Sequence, residues 1–181
     1  MMARLPADSV AQMSGLSGAL HTQWVQKGIL TAARYGSCTE VQAFEVAVAS
    51  ALKPHVKRLL LLRAAMGQAR PKIEGIGDRL PRRLDLVWVP KRRRVTWVQD
   101  SSQLAEVVRI GTPVVVLPLA ETLAEIREAF KQEVAGREAS FASGGPSPRR
   151  RLALLSRRAA QQRAVGRLVA HQPPLTQSLW R

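Results

Sequence analysis

The chain has 181 residues, with 28 Lys and Arg set against 13 Asp and Glu for a formal charge of +15. That length allows one domain or two small ones, and an apolar content of 46% excludes wholesale disorder. No apolar run approaches the roughly 18 residues of a spanning helix, and one cysteine, Cys38, with His21, His55 and His171 supplies neither an internal disulfide nor a conventional zinc site.

The first predicted helix follows Asp8 and Ser9, both good N-caps, with Val10, Ala11 and Met13 as its apolar stripe. It must stop at Gly15, where positive φ permits a tight turn. Leu16 can plug the angle between two helices, and Ser17 can cap a second helix running through Lys27, with Leu20, Trp24 and Val25 inward. Gly28 ends that helix ahead of Ile29 and Leu30, and a polar stretch from Thr31 to Cys38 follows. Thr39 can then cap a helix whose Val41, Phe44, Val48 and Leu52 share one face.

Taken together, Gly15-Leu16-Ser17, Trp24, Gly28-Ile29-Leu30, the polar stretch and the apolar helix after it resemble the winged helix-turn-helix of the MerR type. The resemblance spans Ser9 to Leu52 and implies a DNA-binding module with Thr31 to Cys38 as its wing. Two departures stand out. His21 occupies a place where members often carry Leu, with Leu20 one position earlier. The exposed face of the recognition helix, usually Arg-bearing, is here Ala19, Thr22, Gln23, Gln26 and Lys27, with Ser17 at its start. Thr, Gln and Lys can reach base edges or phosphates, and Arg34 and Tyr35 fall where a wing meets the backbone. The competing reading is an ordinary helical hairpin in a core. Trp24, four residues from Leu20, reads as core rather than as a stacking group, and Cys38 as a bystander.

Lys53-Pro54 closes the apolar helix, and Val56, Leu59, Leu60, Leu62, Arg63 and Met66 predict another that Pro71 breaks. By position it matches the helix through which MerR-type proteins often dimerise, so a homodimer is expected, with a monomer as the alternative. Leu84 to Val89 alternates, placing Leu84, Leu86 and Trp88 opposite Asp85, Val87 and Val89. With Val95 to Val98 it reads as a hairpin around Lys91, Arg92, Arg93 and Arg94, a phosphate anchor or a solvated turn. Asp100-Ser101 can cap a helix through Ile110 with Leu104, Val107 and Val108 inward, closed by Gly111. Val114 to Leu117 is a short strand, and Leu119, Leu123, Ile126 and Phe130 line a last helix. Its Glu121, Glu125 and Glu128 pair with Arg127 or Lys131 in this reading.

The expected fold is therefore α+β: a winged helix-turn-helix with its following helix in residues 1–70, a linker at 71–83, a β-β-α-β-α unit at 84–135, and an Arg-rich tail, helical or disordered, at 136–181. Charge is uneven across these parts. Residues 1–80 carry +5, residues 81–135 carry +2, and the tail +8, beginning at Arg149, Arg150 and Arg151. Of the basic residues 22 are Arg, the side chain suited to bidentate phosphate contact. No Walker loop, dinucleotide fingerprint or nucleophile elbow occurs, so neither an enzyme nor a cofactor is expected.

The expected function is sequence-specific binding of double-stranded DNA, as in a bacterial transcriptional regulator located with the nucleoid in the cytoplasm. The near-balanced 84–135 unit is a candidate surface for a protein partner, and no membrane partner is expected. A DNA-architectural protein of a phage or mobile element, excisionase-like or for packaging, stays open, as does an RNA-binding or ribosome-associated protein.

Overall fold

The computed structural model describes residues 3–33, 36–76, 79–109 and 113–143. Arg34 and Tyr35, Ile110 and Gly111, where a helix is expected to close, and the basic segment from Arg149 onward lie outside them. The described residues are α+β, with helices built around two small antiparallel sheets.

Strand β1, Leu5–Pro6, pairs antiparallel with β2, Ser37–Cys38. Helix α1, Ala7–Met13, begins directly after β1 with Pro6 as N-cap, not Asp8 or Ser9. Proline suits that boundary because a first-turn N–H would have no intrahelical acceptor. Ser9 is instead buried and accepts a hydrogen bond from Arg137 Nη2 at 3.1 Å. Helix α2, Gly18–Gln26, follows the turn, and α3, Glu40–Leu52, carries the expected cap as a full capping box between Thr39 and Gln42.

Helix α4, Leu59–Glu74, corrects the expected break at Pro71, which lies inside it. Leu62, Ala65, Met66, Ala69 and Ile73 are all fully buried, so the packed stripe runs straight past the proline. The lost N–H partner would have been the Gly67 carbonyl, and Gly67 is exposed, where water can satisfy it. Burial of the stripe outweighs the local cost. Leu60, on the opposite side, is 75% exposed.

Strands β3, Asp85–Val89, β4, Arg94–Val98, and β5, Val115–Pro118, form one antiparallel sheet in the order β4-β3-β5. Asp85 stands opposite Val98 and Val89 opposite Arg94, as a hairpin with its tip at Lys91 to Arg94 requires. The alternation holds: Leu84, Leu86 and Trp88 join the main core, while Val87, Val89 and Val98 form a second cluster with Leu104 and Val107 of α5, Ser101–Val108. Val108 does not face inward as expected and is 49% exposed, because the short helix ends as it reaches that position.

Helix α6, Ala120–Ser143, starts on the expected apolar spacing but runs beyond residue 135 into the segment read as tail. Arg137 accounts for part of the extension, since its Nε donates to Glu133 at 3.1 Å while its Nη2 reaches Ser9 on α1. Nearer its start, Arg127 pairs with Glu40 and lies 5.3 Å over the Phe44 ring, fastening α6 to α3. Glu128 pairs with Lys131 at 3.2 Å as expected. Leu5, Trp24, Phe44, Met66, Leu86, Leu123 and Phe130 thus belong to one continuous core. Among the described residues no helix is long and apolar enough to cross a membrane.

Candidate nucleic-acid interface

The turn between α1 and α2 is built as its sequence implies. Gly15 has φ 63, its N–H donates to Gln12 O at 2.9 Å, and the Leu16 N–H reaches back to Ala11 O at 2.8 Å. Leu16 is buried between the helices, and Ser17 Oγ accepts from the Leu20 N–H at 3.3 Å to cap α2. One contact had no sequence signal: a Cβ on Gly18 would meet Asp8 Oδ1 at 2.9 Å. Asp8 therefore sits against the first turn of α2, where a carboxylate complements the positive end of the helix.

Helix α2 has one packed and one free face. His21 and Trp24 are buried and Leu20 and Val25 only partly so, which corrects the inward set by bringing His21 into it. Ala19, Thr22, Gln23, Gln26 and Lys27 are all exposed on the opposite side, with Ser17 exposed at its head. Thr22 Oγ1 donates to Gly18 O at 3.0 Å, and so its hydroxyl is already engaged within the helix.

Burial pushes the His21 imidazole below its ordinary pKa, partly offset by the Asp8 carboxylate. The unfolded chain, with His near 6.5, then binds more protons than the folded one just below that pH. Stability should be flat above about pH 6.5 and fall as pH drops through it toward the lower folded value. Thermal melts across that window would show the slope in the wild type and its loss in His21→Leu; an equal slope in both would refute the assignment.

At its C-terminal end α2 is closed by Gly28, φ 67, with the Ile29 N–H donating to Trp24 O at 2.9 Å. The chain beyond is held by Glu45, a buried carboxylate on α3. Its oxygens accept from Thr31 N–H at 2.9 Å, Thr31 Oγ1 at 2.8 Å and Arg70 Nε at 3.1 Å, and Arg70 Nη2 also donates to Ile29 O at 3.2 Å. This network fixes the exit of α2 to both α3 and α4. Sequence reasoning missed it, although one acid in the apolar run from Ala43 to Leu52 was a usable signal. The thiol of Cys38, buried on β2, is held protonated above its usual range by burial first and by Glu45 second, and is poorly nucleophilic.

The hairpin tip is the second basic feature. Pro90–Arg92 form a single 3-10 turn, Arg93 takes a left-handed conformation at φ 51, and Lys91, Arg92, Arg93 and Arg94 are all exposed. Gln68 of α4 holds this turn from the side: its Nε2 donates to Arg93 O at 3.2 Å and its Oε1 accepts from Val95 N–H at 2.9 Å. Arg70, Arg83, Arg127, Lys131 and Arg137 are ion-paired, whereas Lys27, Arg63 and Lys91 to Arg94 are in no ion pair among the described residues. Arg34, Tyr35 and Arg149 to Arg151, expected to contact DNA, lie outside the described residues.

Comparison of the chain with protein-family models and with curated proteins gave no match.

Proposed function

We propose that the chain is a sequence-specific double-stranded-DNA-binding protein of the transcription-regulator class, with a winged helix-turn-helix formed by α1, α2 and the β1–β2 ladder, working at the nucleoid. One observation carries the reading. Helix α2 is anchored by His21 and Trp24 while Ala19, Thr22, Gln23, Gln26 and Lys27 stand free together on its other side. A recognition helix needs this division, because it must enter a major groove about 12 Å wide without giving up its own packing. The polar members are suited to their parts: Gln can pair bidentately with adenine, and Lys27 can meet a phosphate. The +15 charge supplies affinity of a kind that does not depend on sequence.

Selection from a random duplex library, followed by mobility-shift titration at two salt concentrations, tests this. Gln23→Ala should relax preference at one base position at a cost of about 1–3 kcal/mol on the preferred site. Arg34→Ala should weaken all sequences alike and lower the salt slope by about 1. Unenriched selection, or stronger binding to structured RNA than to any duplex, would overturn the proposal.

A further inference from the structure

We propose that Arg63, lying against the end of α2, and the Lys91 to Arg94 turn, held by Gln68 on the other flank of α4, form a two-point clamp for the phosphate backbone of duplex DNA. This rests on the duplex-DNA reading of α2 and adds a surface to it.

The first point is set by Gly28. A Cβ there would lie 3.3 Å from Arg63 Nε and 3.5 Å from its Cζ, so the guanidinium of α4 lies against the end of α2 next to Lys27. A Cβ at position 28 would crowd it by a few tenths of an ångström, and the φ of 67 independently favours glycine. The second point is set by Gln68, whose two bonds to Arg93 and Val95 fix the basic turn to the same helix. From Arg63 to Gln68 the helix advances about 7.5 Å and turns by about 140°. On a cylinder about 10 Å across, the two anchor positions, 63 and 68, stand about 12 Å apart. Held at separate positions, the two points carry separate charges to the backbone, and their contributions add.

Charge agrees with placement. These cations are in no ion pair among the described residues, unlike Arg70 and Arg127 on the packed side. The single acid of α4 is Glu74, at its far end, about 16 Å along the axis from Arg63. Gln68 is a positioning residue here, because it carries no charge to the phosphate and sets only where the turn's charges stand.

The test is fluorescence anisotropy of the full chain with a labelled random-sequence duplex over a series of KCl concentrations, each variant first checked by thermal melt. Arg63→Gln should lower the log-affinity against log-salt slope by about 1, and Arg63→Lys should restore it. The triple variant Lys91→Ala, Arg92→Ala, Arg94→Ala should lower it by about 2–3, and the combined variant by the sum. Gln68→Ala leaves every charge in place, so a lowered slope in a folded protein reports positioning alone. Wild-type slopes in Arg63→Gln and the triple variant would overturn the clamp while leaving the α2 reading intact. Failure of the wild type to bind any duplex at low salt would overturn both.

Discussion

Glu45→Ala is expected to destabilise the protein by about 3 kcal/mol, the lower end of the cost of breaking a buried ion pair. The carboxylate accepts from Thr31 N–H, Thr31 Oγ1 and Arg70 Nε, and it has almost no contact with water. Alanine would leave the Thr31 amide without its acceptor and free the guanidinium that holds Ile29 O. Arg70 is 29% exposed, so water recovers part of the loss on its side, which places the figure low in the range. Glu45→Gln keeps an acceptor for Thr31 and should lose about half as much. Urea unfolding would measure both. Because the two residues share one interaction, the double variant Glu45→Ala, Arg70→Ala should fall short of the sum of the singles by about 1–3 kcal/mol. A single-variant loss below about 0.5 kcal/mol, the ordinary range of a surface change, would show that the network contributes nothing net.

That network also marks the boundary of what the sequence makes legible. Features that close within a few residues are readable: the Gly15 turn, the Ser17 and Thr39 caps, and the alternation that sends Leu86 to one core and Val87 to another. Each is decided by backbone geometry or by period, and both are visible in a short window. Long-range packing is not. Pro71 reads locally as a helix stop, yet Ala69 and Ile73 on either side of it are buried with Leu62 and Met66, and that burial decides the outcome. Helix α6 outruns its apolar period in part because Arg137 reaches Ser9, 128 residues away. Asp8 against Gly18, Arg63 against Gly28 and Gln68 on the Arg93 turn depend on the same kind of distant placement. At the candidate site, the free face of α2 was legible from helical spacing, whereas the position of the basic turn relative to α4 was not.

Trp24 separates packing from recognition. It lies within the free face's own helix but is fully buried, so Trp24→Ala should cost about 3–5 kcal/mol through the lost transfer energy and the cavity left behind. Its Nε1–H has no hydrogen-bond partner among the described residues, which is itself a cost of about 1–3 kcal/mol. Trp24→Phe removes that donor while retaining an aromatic ring, and the two effects oppose one another. Phe should therefore lie within about 1 kcal/mol of wild type, far from the alanine variant. Chemical denaturation gives the stabilities, and duplex titration of the Phe variant gives the second readout. If Trp24 acts only by seating α2, affinity in the folded Phe variant should stay within about twofold, under 0.5 kcal/mol. A stable Phe variant with a tenfold weaker duplex affinity would place the indole in recognition and reverse the orientation assigned to α2.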